Sequence, residues 1–138
     1  MAFSILIFIY RKAGVTPEDF RTHCQTKLVP LHKEIAGEHY ALSHTAHYIQ
    51  RTEGPKVDGN TKRNPTTPAT VFMGTQADAD WEAIAILEFR DQAHFQAYLG
   101  LMMVPENAAR IAETEGVVID NSKTTIVAVG ATEVNKKD

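Results

Sequence analysis

The sequence predicts a single α+β domain whose elements run β-α-β-β-α-β. Three observations carry that reading. Short β-branched and aromatic runs stand near both ends and in the middle. Stretches of helical periodicity separate them. A length of 138 residues suits one domain, 1–138, with a core of its own rather than two.

Phe3 to Tyr10 is the first strand. Its apolar run, Ile5 to Tyr10, lacks clean alternation, as expected of a central strand buried on both faces. The run is far too short to span a bilayer, and it lacks the basic start and small-residue cleavage site of a signal peptide. A helix follows. Thr16 is a good N-cap, Pro17 suits the first helical position, and Glu18 and Asp19 favour the positive helix end. Phe20, Cys24, Leu28, Leu31 and Ile35 then recur at helical spacing as one apolar stripe. Pro30 should kink or interrupt this helix, and Gly37 should end it.

Ala41 to Gln50 reads as the second strand and Trp81 to Phe89 as the third. Asp91 caps a helix carrying Phe95, Tyr98 and Leu99, and Pro105 opens another with Ala108, Ala109 and Ile111. Lys123 to Val129 is the last strand, and the end at 136–138 should fray. This order is the ferredoxin-like pattern, an antiparallel four-stranded sheet with helices on one face. The strands are apolar on both faces while the helices cover only one. A symmetric homodimer packed sheet to sheet is therefore expected.

The segment from Arg51 to Asp80 stands apart. It is rich in Gly, Pro, Thr and Asn and joins two strands that a short turn would connect. Loops of roughly thirty residues are lids, binding loops or insertions. Val71-Phe72-Met73 within it is an apolar patch suited to anchoring the loop over a pocket.

Composition narrows the function. Apolar residues at 43% and charged residues at 22% exclude wholesale disorder. A net charge of −3 argues against a nucleic-acid partner, which needs a basic surface. The one cysteine, Cys24, excludes an internal disulfide and a thiolate metal cluster, and fits a reducing, cytoplasmic setting. Its place inside the helical stripe makes it a packing residue.

Six histidines are present, four of them between His32 and His47. On a strand, His44 and His47 point to opposite faces and cannot chelate one ion without a bulge. No cysteine partner or HExxH pattern accompanies them, so no metal is expected. Whichever of the two faces the cleft would titrate near neutrality in an apolar pocket, as proton transfer requires. His44 is favoured, because it shares a face with Ala46 and Tyr48, whereas His47 lies with Ser43, Thr45 and Ile49. Either also fits a core role bonded to backbone. His32 falls at the edge of the helical stripe near Leu28 and is the reserve candidate, with His23 at the other edge and His94 on the surface.

Tyr10, Tyr40, Tyr48, Phe72 and Trp81 are candidates for an aromatic pocket wall, with Phe95 in the core. Glu88, inside an apolar strand, needs a partner or a wet cleft. Glu113, Glu115 and Asp120 read as solvated. No glycine-rich phosphate loop, Ser-His-Asp context or flavin fingerprint occurs, so no organic cofactor is expected.

Several stretches carry a resemblance: Tyr10 to Phe20, Val29-Pro30-Leu31, Leu42 to Arg51 with its Leu-Ser-His-Thr-x-His-Tyr core, and Asp80 to Ala85. Together they resemble the EthD family, and within it small fungal proteins encoded with aromatic polyketide pathways. The resemblance implies a dimeric α/β barrel and a small aromatic polyketide-like substrate. It also implies cofactor-free chemistry, since members of the subgroup decarboxylate polycyclic aromatic acids, and related barrels are monooxygenases, dehydratases or cyclases. Two positions depart from the family pattern. Leu28 stands where a histidine is usual two residues before the helix proline, and Ala46 where arginine is common between the two strand histidines. The expected function is a cofactor-independent lyase that decarboxylates a hydroxylated aryl or β-keto acid. The alternatives are a dehydratase, cyclase or anthrone-type oxygenase, or a non-catalytic binding protein.

Overall fold

Residues 2–51 and 68–137 are described by the computed structural model. Four strands, β1 (Phe3–Ile9), β2 (Ser43–Tyr48), β3 (Ala83–Phe89) and β4 (Thr125–Ala128), form one antiparallel sheet in the order β2-β3-β1-β4. Four helices, α1 (Pro17–His23), α2 (Val29–Ala36), α3 (Gln92–Met102) and α4 (Pro105–Glu115), connect them. The topology is ferredoxin-like. β1 begins at Phe3 and β3 ends at Phe89 as expected, while the other strand ends fall one to two residues inside the expected limits, although single backbone bonds from Leu42, Ile49 and Glu82 extend the pairing.

Side-chain parity divides the sheet. On the helix side, Ile5, Ile7 and Ile9 of β1 lie opposite Leu87, Ala85 and Ala83 of β3, which in turn face His44, Ala46 and Tyr48 of β2. The core forms there. Ile5, Leu87, Phe89 and Tyr98 are buried in one cluster, and Phe20, Cys24, Leu28, Val118 and Ile119 in another. Leu6, Phe8, Thr45, His47, Ile84, Ile86 and Val127 take the opposite face. No described helix covers it, and Trp81 stacks on Phe8 there at 6.0 Å.

The first helical segment is interrupted, as expected, but in the turn before Pro30 rather than at it. A π-helical turn, Cys24–Leu28, joins α1 to α2, and Pro30 sits in the first turn of α2. In a regular helix the Pro30 ring would collide with the carbonyl of Thr26, and the wider π turn relieves that collision. Thr16 caps α1 as expected, accepting from the Asp19 amide at 3.1 Å.

Two buried polar groups hold the sheet ends. Glu82, 1% exposed, accepts from Arg11 Nε at 2.8 Å and pairs with Arg51 Nη2 at 3.0 Å. Arg51 also donates to the Trp81 carbonyl, so both ends of the 51–80 segment are clamped. His94 is not on the surface, as its sequence position suggested, but 4% exposed. Its Nδ1 accepts from the Arg90 amide at 3.1 Å, which leaves Nε2 to donate to the carbonyls of His39 and Tyr40.

Candidate active site

The register that pairs His44 with Leu87 turns its ring toward the helices. Across from it, α2 presents Val29 and His32, and α3 presents Tyr98. Between them lies a cavity of about 70 Å³. Its wall is mostly aliphatic, from Ile7, Ile9, Leu28, Ala85, Leu87 and Ile119, but five titratable side chains also line it: His32, Tyr40, His44, Tyr98 and Glu115.

His32 Nδ1 and the Tyr98 hydroxyl share a hydrogen bond of 3.0 Å. His32 Nε2 is buried with no hydrogen-bond partner among the described residues. Burial sets the electrostatics. It pushes the His32 imidazole down to about 4, with nearby His44 adding to the effect. It also lowers His44, aided by the Lys33 ammonium, which lies over the Tyr40 ring at 5.7 Å. The same desolvation raises Tyr40, Tyr98 and the Glu115 carboxyl. Each group is thus driven toward its neutral form. The cavity thus carries neutral imidazoles and neutral hydroxyls, which can exchange hydrogen bonds with a bound group.

Among the other expected site residues, His32, His44 and Tyr40 share this cavity. His47 does not: it is exposed on the far face, opposite Ile84. Tyr48 has the helix-side parity of His44 but lies at the other end of β2. There its hydroxyl accepts from Gln25 at 2.6 Å, and it borders a separate cavity with Arg21, Arg51 and Glu82. Tyr10 lies under the Lys123 ammonium at 5.7 Å, outside the cavity, and Trp81 packs on the open sheet face. Glu88 is exposed on that open face, level with Ser43 and Ser4, so its wet surroundings are the surface rather than a cleft. Phe72 and Met73 are 98% and 94% exposed and cover no described pocket. Of the expected loop, residues 52–67 lie outside the described residues.

Two cavity residues escaped the sequence reading. Glu115 was expected in solvent, yet it lines the cavity half-buried, because it continues the α4 stripe of Ala108, Ile111 and Ala112 by one turn. That spacing was the available signal. Tyr98 was read as part of the α3 stripe, and its hydroxyl finds His32 only through the packing of α2 on α3. Cys24 is buried as expected, its thiol pushed up to about 12, chiefly by burial. Among the described residues, no three or more His, Cys, Asp or Glu side chains gather as a metal site. No described helix is long and apolar enough to cross a membrane.

A family model described as "EthD domain" matches residues 12–122. None of the curated proteins matches the sequence. Several solved structures are similar in fold. An ethyl tert-butyl ether D (EthD) family protein from Bacillus halodurans C-125 superposes with a TM-score of 0.52 at 12% identity, over 94% of this chain and 99% of that one. A dimeric ferredoxin-like protein of unknown function from Thermobifida fusca YX gives 0.51 at 13% identity, over 94% and 90%. SnoaB from Streptomyces nogalater, a cofactor-independent oxygenase, gives 0.51 at 10% identity, over 99% and 98%. At such identities the likeness is one of fold.

Proposed function

This chain belongs to the EthD family, and on that premise we propose that it is a cofactor-independent lyase that removes CO₂ from a hydroxylated aryl or β-keto acid of the aromatic polyketide type. The supporting observation is the convergence of His32, Tyr40, His44, Tyr98 and Glu115 on one otherwise apolar cavity.

Decarboxylation suits such a site. A carboxylate entering an aliphatic cavity loses hydration, whereas the transition state spreads its charge into a carbonyl or ring and suffers less. The substrate's negative charge beside His44 raises the imidazole pKa, so a proton is taken up on binding. The carbon–carbon bond then breaks, and its electron pair moves into the adjacent carbonyl or phenol system as CO₂ departs. Tyr40 and Tyr98 hydroxyls are placed to donate to the developing oxyanion. The His44 imidazolium transfers its proton to the carbanion carbon and returns to the neutral form. The imidazole bonded to Tyr98, that of His32, holds that hydroxyl in place.

The open sheet face completes the proposal. Leu6, Phe8, Ile84 and Ile86 form an apolar surface with no described helix over it, and a symmetric homodimer would cover it. The Thermobifida protein, described as dimeric, supports this arrangement.

A second reading keeps the same residues. Both imidazoles are held neutral, which favours proton abstraction, the opening step of a dehydration, cyclisation or cofactor-free oxygenation; SnoaB is an oxygenase on the same fold. Incubation with hydroxybenzoic and β-keto polyketide acids in D₂O separates the readings. The lyase releases CO₂ stoichiometrically and places deuterium on the carbon that lost it. Oxygen uptake or water loss without CO₂ would move the assignment to the second reading, and saturable binding without turnover to a binding protein.

A further inference from the structure

Glu115 is the acidic member of the cavity wall, and the reaction as drawn leaves it without a role. It closes α4, where its backbone carbonyl accepts from the Val118 and Ile119 amides at 3.0 and 2.8 Å. Its main chain therefore fixes it. Its half-buried carboxyl makes no hydrogen bond or ion pair among the described residues, and burial raises its pKa. An unpaired carboxyl in an apolar wall weakens a fold. In a cleft, such a group marks a place for a ligand. His32 Nε2, in the same wall, is also buried without a partner among the described residues.

The cavity has two ends of opposite polarity. The sheet order β2-β3-β1-β4 puts His44 on one edge strand. Glu115 stands toward the other edge, beside Thr124 and Ile126, in a stretch of wall that includes neither His44 nor Tyr40. Two strand spacings, about 10 Å, separate β2 from β1. At the first end the Lys33 ammonium lies over the Tyr40 ring at 5.7 Å, and its charge bears on His44. At the second, the Glu115 charge bears on Tyr98 and Cys24. A carboxylate is drawn to the first end and repelled from the second. The second end suits a hydrogen-bond donor.

We infer that Glu115 is a specificity-determining residue, whose carboxyl accepts a hydrogen bond from a phenolic hydroxyl carried on the side of the substrate remote from the reacting carboxyl. The placing of that reacting carboxyl at His44 rests on the proposed reaction. The substrate class narrows accordingly to aryl acids with a distal hydroxyl. Such a hydroxyl satisfies itself and Glu115 together, whereas a hydrogen or methoxy group at the same position leaves the carboxyl desolvated and unbonded. A hydroxyl ortho to the reacting carboxyl lies at the opposite end and does not meet Glu115.

The test is calorimetric binding of benzoic and naphthoic acids, each bare, hydroxylated or methoxylated at the position farthest from the carboxyl. A hydrogen bond to a charged group corresponds to about 10- to 100-fold in affinity. The wild type should favour the hydroxylated acid by about that factor in at least one ring length. Glu115→Gln, which keeps an acceptor, should retain part of the preference, and Glu115→Leu should abolish it. Salicylic acid should bind the wild type and Glu115→Leu alike. Equal affinity for hydroxylated and bare acids in the wild type, or an undiminished preference in Glu115→Leu, would overturn the inference even if CO₂ were released. A hydroxyl preference lost in Glu115→Leu, without CO₂ release from any acid, would keep the inference and refute the lyase. Glu115→Leu should also melt no lower than the wild type without ligand. A clearly lower melting temperature would show the carboxyl bonded within the fold, and would overturn its reservation for a ligand.

Discussion

At the scale of single residues, strand parity decides most of the chemistry. His44 and His47 are three residues apart, and the sheet sends one into the cleft and the other to the open face. That separation was legible in the sequence, because the period of a strand is two. Which face met the helices was not fixed by parity alone; Ala46 and Tyr48 beside His44 tipped the reading, and Leu87 opposite it settles the geometry. His32 carries a measurable signature. Its folded pKa lies near 4 against an ordinary 6.5, so below pH 6.5 the unfolded chain binds a proton that the native chain refuses. Stability is fully present above about pH 6.5 and falls as the pH drops toward 4, by on the order of 3 kcal/mol from this residue. Lowered His44 acts in the same direction. Urea midpoints of wild type and His32→Asn at pH 7 and pH 4.5 should show a smaller acid loss in the variant. Equal losses would place the His32 imidazole in water.

At the scale of elements, the order of strands and helices could be read from periodicity and caps, but the joins between them could not. Phe20, Cys24 and Leu28 step by four, which drifts about 40° per step on a regular helix. The π turn absorbs this drift and keeps all three buried, and it brings His32 to the cavity from the far side of Pro30. His94 and Glu82 were missed for a different reason. Their partners are remote in sequence, the carbonyls of His39 and Tyr40 for one and two arginines for the other, and no local pattern announces a contact of that kind. Glu82 joins the end of β1 to both ends of the 51–80 segment. Removing one member of a buried ion cluster leaves the others uncompensated, at about 3–5 kcal/mol. Glu82→Gln should therefore lower stability by about that amount while Glu88→Gln, exposed on the open face, changes it by less than about 0.5 kcal/mol. Denaturant titration of both variants makes the comparison, and similar stabilities would mean that the Arg11–Glu82–Arg51 cluster contributes nothing net.

At the scale of the whole molecule, the two faces of the sheet differ. The helix side borders the cavity of His32, Tyr40, His44, Tyr98 and Glu115, and the open side carries Leu6, Phe8, Ile84 and Ile86, the surface proposed to meet a second copy. Light scattering at micromolar concentration should give the mass of two chains, and Ile86→Glu, which sets a charge in that apolar surface, should give one. A monomeric wild type would detach the open face from assembly. The most direct test of the assignment compares the two histidines of β2, which differ in little but the face they occupy. Single-turnover rates of CO₂ release should fall about 10²–10⁴-fold in His44→Ala, the usual worth of a general acid–base, while His47→Ala keeps its rate per folded dimer. Near-wild-type turnover in His44→Ala, or a loss confined to His47→Ala, would contradict a reaction site in the helix-side cleft.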